Sequence, residues 1–549
     1  MMIDTSSEVV MTRQAMLCAV LCGVLPVPML TAQTHPAHSQ PKSSQTSPSV
    51  PTIRVTSRLV FLDVTVLDKQ GRPVVSGLTK SDFLITEDKQ PQRIFSFEPP
   101  QVHTLDLRPG AENPDGKAPR TILVLDLLNS RFQDFAYIRY EVKRYLDSRP
   151  PELGSPTEMM VVGNQSLQMV QNWTRDRSEL LDALQHIPAV LPYKEMSGAF
   201  WYERAGQSVD ALQQIALQNQ GVPGRKNIIW VGHGMPNLDA LYTEYPDEDL
   251  QFVKRYLHAT TNMLVNARIS LFVIYPGLNF RNEMSLSGQD AFMDTGDDDP
   301  FLSGLNFGIF TNETGGRLFY NRNDVDGEIR QAKQLGSEYY TLTYQPQGGD
   351  NNGRFRRIRV TLREPGLRAL TKTGYFARES KAITIPHQRT INTLSEGVYS
   401  TIPLNEIHIL IANLARHPDN ETTQFTVYIQ GRNLDWLRGA DGHETVGLGL
   451  AAASIGPDGK ILASRLFNDT VTSPVENPKQ LGHYPLRIPM VLRTPRKTQS
   501  IRVVVEVKPD NRMGSAEMDR KAIAAAPALP TPEPQLSPAR STPPAPSAP

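Results

Sequence analysis

The chain has 549 residues, enough for roughly three or four ordinary domains, and 39% of them are hydrophobic. Its 57 Lys and Arg balance 57 Asp and Glu, so no overall field draws it to nucleic acid or to an anionic membrane. Both cysteines, Cys18 and Cys22, fall in the first 33 residues, so the remainder has no disulfide, no thiolate metal site and no thiol nucleophile.

Arg13 precedes an apolar run from Ala15 to Leu30 that closes at Thr31-Ala32-Gln33, the pattern of a signal peptide over residues 1–33. The run holds Gly23, Pro26 and Pro28 and is short for a bilayer span, and no transmembrane segment is expected beyond it. A secreted or periplasmic protein of the cell envelope is the expectation, with an uncleaved anchor as the alternative. Residues 34–51, rich in Ser, Pro, Gln and Thr, form a linker too polar to order itself. Val60, Leu62, Val64 and Val66 then alternate with their neighbours, and the turns Asp68-Lys69-Gln70-Gly71 and Asp88-Lys89-Gln90-Pro91 separate further short strands. Residues 52–100 thus read as a small β-rich module.

From Arg120 strands alternate with helices. Thr121 to Leu125 is a mostly apolar run suited to a strand buried on both faces. Phe132, Phe135, Ile138, Val142 and Tyr145 share one helix face. Strands at Met159–Val162, Asn227–Val231, Ile269–Ile274 and Arg317–Tyr320 alternate with helical patterns around Leu180–Ile187, Ser208–Leu217, Phe252–Leu264 and Asp324–Leu335. Residues 118–346 are therefore expected to form a doubly wound, mainly parallel α/β sheet flanked by small all-β modules. Residues 347–380 read as a β extension of that domain, 400–516 as a β-sandwich-like domain, and 524–549 as a disordered Pro- and Ala-rich tail.

Several motifs occur in order along the first two thirds of the chain. They are Asp126-Leu127-Leu128-Asn129-Ser130, Asn227-Ile228-Ile229-Trp230-Val231 running into Gly232-His233-Gly234-Met235-Pro236, and Thr314-Gly315-Gly316-Arg317. Asp82-Phe83, Glu87-Asp88 and Pro91-Gln92 precede them, and Tyr339-Tyr340-Thr341-Leu342-Thr343-Tyr344-Gln345-Pro346, Arg354-Phe355-Arg356-Arg357-Ile358 and Thr373-Gly374-Tyr375 follow. With these pieces the chain resembles the VWFA-related domain family of acidobacteria, whose α/β segment is a von Willebrand factor A-type domain. The resemblance covers about residues 53–380; Gly514-Ser515-Ala516 adds a weaker likeness to a C-terminal sandwich.

The resemblance implies a cation site made from an Asp-x-Ser-x-Ser loop, a Thr from a second loop and often a later Asp. Asp126 matches the first Asp and Ser130 the second Ser. Leu128 stands where the first Ser would be, and His233 where the later Asp would be; neither suits Mg²⁺, which needs oxygen ligands. The Thr loop would fall near Ser197 or Ser208. No cofactor is expected, beyond a weak Mg²⁺ or Ca²⁺ at Asp126 and Ser130, and the alternative is that these two residues cap the following helix. The binding rim expected from the fold consists of Asp126, Asn129, Ser130, Gly232, His233 and Gly234.

Three functions compete. The first is a non-enzymatic, exported protein that binds a protein partner through this rim. The second is an extracytoplasmic hydrolase using Asp126 and His233, although His233 between two glycines also suits a tight turn. The third is a true metal-dependent adhesion module. The acidic stretch Asp290–Asp299 lacks the ligand spacing of a Ca²⁺ loop, and the arginines 354, 356, 357, 359, 363 and 368 read as a solvated strand face or a contact for an acidic partner.

Overall fold

The computed structural model describes residues 59–105, 117–130, 132–164, 166–187, 198–235, 247–276, 307–319, 324–346, 354–377, 386–418, 421–434, 436–438, 443–473, 485–508 and 510–529. The expected signal peptide, the linker 34–51, the acidic stretch 290–299 and residues 530–549 lie outside them.

Along the chain, four strands come first: β1 (Val60–Leu67), β2 (Phe83–Glu87), β3 (Gln90–Gln92) and β4 (Ile94–Glu98). An alternating stretch follows, with β5 (Arg120–Asp126), α1 (Phe132–Asp147), β6 (Glu152–Val162), β7 (Leu167–Asp176), α2 (Arg177–His186) and α3 (Gly198–Gln218). It continues through β8 (Lys226–Val231), α4 (Asp247–Asn266), β9 (Ile269–Ile274), α5 (Gly308–Glu313), β10 (Arg317–Phe319) and α6 (Val325–Ser337). Then come β11 (Tyr340–Tyr344), β12 (Phe355–Leu362), β13 (Arg368–Leu370), β14 (Gly374–Phe376) and α7 (Pro386–Tyr399). Last are β15 (Ile409–His417), β16 (Thr422–Ile429), β17 (Leu437–Arg438), β18 (Glu444–Ile455), β19 (Ile461–Thr472), β20 (Leu486–Arg493), β21 (Ser500–Lys508), β22 (Arg512–Asp519) and α8 (Arg520–Ala525).

The central sheet has the order β10-β9-β8-β5-β6-β7. Counted from β5, that is strand order 3-2-1-4-5-6 read from the β7 edge. Five strands are parallel, and only β7 runs against its neighbour. Successive β5 side chains enter opposite cores: Ile122 and Val124 on one side, Leu123 and Leu125 on the other. Residues of α3, α4 and α5 complete the first core and residues of α1, α2 and α6 the second, so helices cover both faces. The α/β expectation holds at this level, with the antiparallel β7 as an addition. Its pattern, Gln168 to Asn172 with mixed exposure, is that of an edge strand and carries no long apolar run to announce it.

The β modules divide differently from the expectation. Strand β11 does not join the α/β sheet; it pairs antiparallel with β1 and β4, while β12 pairs with β2 and β14. Two four-stranded sheets, β13-β1-β11-β4 and β14-β12-β2-β3, enclose one core that includes Leu62, Val64, Phe83, Ile85, Leu342, Ile358 and Val360. Strands from the expected first module (60–98), from the end of the expected α/β domain (Tyr340–Tyr344) and from its expected β extension (355–376) thus build one sandwich, into which the α/β segment is inserted. A strand's sequence declares its own period, not its partner, and β11 is apolar enough to suit either sheet.

The third body is also a two-sheet sandwich, with β15-β16-β20 facing β17-β18-β21-β22 and β19 added beside β18. Its core holds Phe425, Val427, Leu448, Leu450, Val503 and Val505. The structure extends it past 516 into the expected tail. Asp519 caps α8 by accepting from the Ala522 amide, Ile523 and Ala526 are buried, and Leu529 N donates to the Arg416 carbonyl beside edge strand β15. Residues 524–529 are ordered because that edge offers unpaired backbone groups. Helix α7, which the sequence reading did not anticipate, packs Leu394 and Val398 against Ala451, Ala453 and Val504.

Candidate functional site

In an open α/β sheet, ligands bind outside the carboxyl ends of the strands where the strand order reverses. Here that point lies between β5 and β8, the strands that end at Asp126 and Val231. Asp126 is fully buried. Its Oδ1 accepts from the Asn129 backbone amide at 2.9 Å, and its Oδ2 accepts from Gly234 N at 2.7 Å and from the Trp230 indole Nε1 at 3.1 Å. The Asn129 side-chain amide lies 3.3 and 3.2 Å from the two oxygens and also donates to Ser208 Oγ at 3.0 Å. Burial holds the Asp126 carboxyl above the usual carboxylate range, against the opposing pull of the Asn129, Trp230 and Gly234 donors.

Glycines shape the facing turn. Gly232 has φ 144° and Gly234 φ 65°, conformations that disfavour a side chain. A Cβ on Gly232 would lie 2.3 Å from the Asp126 Cβ, and one on Gly234 would lie 2.3 Å from the Phe307 ring. Both backbones can approach because nothing projects from them. The His233 ring, partly exposed, lies 5.9 Å from the ring of buried Tyr275, whose hydroxyl burial pushes above its ordinary range, with the nearby Asp126 adding to the effect.

The structure therefore gathers Asp126, Asn129, Gly232 and Gly234 into one hydrogen-bonded rim and brings Ser208 to it. Ser197 lies outside the described residues. Leu128 points into the apolar core, so the position of the missing Ser does not even face the rim. Helix α1 begins at Phe132, and Ser130 Oγ is buried with no hydrogen-bond partner among the described residues, so no side-chain cap from Ser130 is seen there. Asp126 makes a turn with Asn129 N instead.

These residues do not fit a hard divalent cation. Such an ion needs several convergent oxygens, whereas the carboxylate here faces four N–H-bearing groups whose partial positive charge a cation would meet. Ser130 Oγ and Asn129 Oδ1 are buried without partners among the described residues, yet two neutral oxygens do not supply the missing ligands. Among the described residues no group of three or more His, Cys, Asp or Glu is placed to hold a metal.

Sequence reasoning gave Trp230 no role, since it sits inside an apolar strand and reads as core. It also passed over Glu158 and Lys226, both fully buried at the opposite end of the sheet. Of the arginine-rich strand, Arg356 pairs with Asp88 at 3.0 Å, Arg363 Nε donates to the Ser81 carbonyl at 2.8 Å, and Arg357 lies over the Phe355 ring. These arginines bind the sandwich together rather than lining the rim.

No protein-family model matches the chain, and no curated protein sequence matches it. Among solved structures, the chain is similar to one titled "Crystal Structure of the SpRpn10 VWA domain", at 18% identity over 29% of this chain and 75% of that chain, with a TM-score of 0.19. It is also similar to a β-glucuronidase from glycoside hydrolase family 2, at 17% identity over 22% of this chain and 11% of that chain, with a TM-score of 0.12. Neither likeness bears on function at these scores. No helix among the described residues is long and apolar enough to cross a membrane. What the chain has is an α/β body whose weak structural neighbour is a VWA domain.

Proposed function

We propose that this is an exported, non-enzymatic protein that uses the rim of a von Willebrand factor A-like domain to bind a protein partner in the cell envelope, and that its cation site is degenerate. The observation that carries the reading is the convergence of Asp126, Asn129 and the Gly232–Gly234 turn at the carboxyl ends of β5 and β8, the point of strand-order reversal where open α/β sheets bind ligands. Asp126 has no solvent exposure and both of its oxygens are engaged, which counts against acid–base chemistry with His233 and gives Asp126 the part of shaping the rim from within.

Affinity capture from an envelope extract, with the full chain as bait, tests this. His233→Ala and Asp126→Asn should lose a partner that the wild type and an Arg359→Ala control both retain, with folding checked by circular dichroism. Retention of every wild-type partner by both rim variants would overturn the reading.

A further inference from the structure

The rim contains a carboxylate that an A-type domain would give to a cation, yet every contact described for it comes from nitrogen. On Oδ2 are the Trp230 indole N–H at 3.1 Å and the Gly234 amide at 2.7 Å. On Oδ1 is the Asn129 amide at 2.9 Å, with the Asn129 carboxamide spanning both oxygens. A carboxylate offers roughly four lone-pair sites, and these donors fill them. Trp230 is itself held in place: its ring packs 4.8 Å from Phe307, and Phe307 lies against Gly234, where any Cβ would collide with it. Indole, phenyl ring, glycine turn and carboxylate thus form a closed set in which each member fixes the next.

We propose that Trp230 and Gly234 have taken the cation's place: their N–H groups satisfy Asp126, and this hydrogen-bonded lock holds the Gly232–Met235 turn in one conformation without metal. Trp230 is then a positioning residue of the rim. This deepens the reading of the rim as a binding surface and rests on it only for its biological purpose. The physical content is that recognition here does not wait on a divalent ion, in contrast to a rim in which a partner's carboxylate completes a metal's coordination. Hydrogen bonds to a carboxylate are stronger than those between neutral groups, which lets the indole hold the turn.

The full chain, labelled with ¹⁵N at its 4 tryptophans and, in a second sample, at its glycines, tests the lock by nuclear magnetic resonance of the indole N–H groups together with amide exchange at the turn. The Trp230 indole proton should exchange slowly and keep its line width when millimolar Mn²⁺ is added, and neither Mg²⁺, Ca²⁺ nor a chelator should move the melting temperature. Trp230→Phe keeps the ring and removes the donor. It should speed exchange of the Gly234 amide roughly tenfold, the factor expected from losing about 1.4 kcal/mol. If that variant fails to fold, the wild-type indole measurements decide alone. Selective broadening of Trp230 by Mn²⁺, a cation-raised melting temperature that Asp126→Asn abolishes, or an indole proton exchanging as if exposed would overturn the proposal. These readouts need no partner, so the lock can stand while the binding role fails, and the reverse.

Discussion

The guanidinium of Arg268 grips the carboxylate of Asp63 with two prongs, Nε lying 3.1 Å from Oδ2 and Nη2 bonding Oδ1. Arg268 directly precedes β9, and Asp63 sits in β1, so the pair fastens the inserted α/β body to the sandwich that surrounds it. Thr341 Oγ1 of β11 donates to the same carboxylate at 2.9 Å. Nearby, buried Arg225 donates to Thr65 Oγ1, Ser270 Oγ and the Gly315 carbonyl, adding a second tie across the seam.

Burial, the largest single influence, would raise the Asp63 carboxyl, but the Arg268 charge and hydrogen bonds, the Arg225 charge and the Thr341 hydroxyl together outweigh it and bring it down to about 2. A carboxyl depressed in the folded state contributes stability that is present above its unfolded value near 3.8 and is lost as pH falls through the folded value. Asp63→Asn should therefore cost about 2–3 kcal/mol at neutral pH. The difference from wild type should shrink between pH 4 and 2, which denaturant titrations across that window would reveal. An equal cost at pH 7 and pH 2 would mean that packing, not charge, makes the contact matter.

Glu158 predicts the opposite slope. It is fully buried on β6, and among the described residues it has one side-chain bond, from Gln218 Nε2 at 3.3 Å; burial raises its carboxyl well above the usual range. A carboxyl raised in the folded state makes the protein lose stability as pH climbs from its unfolded value through its folded one. Glu158→Gln keeps the shape, removes the charge, and should stabilise the protein at pH 8 by at least about 1 kcal/mol, a gain that fades toward pH 4. Melting curves of the two proteins that stay parallel across that range would show that Glu158 does not carry the effect.

Two glycines set apart close approach from mere presence. A Cβ on Gly316 would fall 1.8 Å from the Leu271 carbonyl oxygen, where the chain enters β10 against β9. Gly316→Ala should cost about 3 kcal/mol, because backbone rather than a pliable side chain blocks it. Gly206, inside α3, has nothing within 4 Å of its would-be Cβ. Gly206→Ala should instead stabilise the chain by about 0.5–1 kcal/mol through helix propensity. Urea unfolding of both variants checks the sign as well as the size.

The parallel strands and most helices of the α/β body were readable because their signals are local. Thr121–Leu125 is apolar on both faces, and Phe135, Ile138 and Val142 repeat at helical spacing. Asp324 caps α6, as its position ahead of that apolar stripe suggested. Partner choice was not local. Nothing in Tyr339–Tyr344 says that it leaves the sheet it follows and completes a sandwich begun at Val60. At the rim, Asp126 and the Gly232–Gly234 turn could be picked out by residue type and position. The role of Trp230 could not, because an indole in an apolar strand counts as core until its N–H is seen to meet a carboxylate. Charged residues as deeply buried as Glu158 and Lys226 give no periodic signal of their own.

The insertion of the α/β body into the first sandwich has a consequence for how the molecule is made. Among the described strands β1 pairs with β11 and β13, both far along the chain, with only a local bridge from Leu67 to Pro73 besides, and its Asp63 meets Thr341 across 278 residues of chain. A nascent polypeptide therefore carries most of β1 without its strand partners until nearly the whole intervening body has been synthesised, and closing so distant a pairing is slow. Chain fragments that stop short of Tyr340 should be sticky, seeking other edges to dock on. A helper that shields those early strands would raise yield more than one that acts on the finished protein.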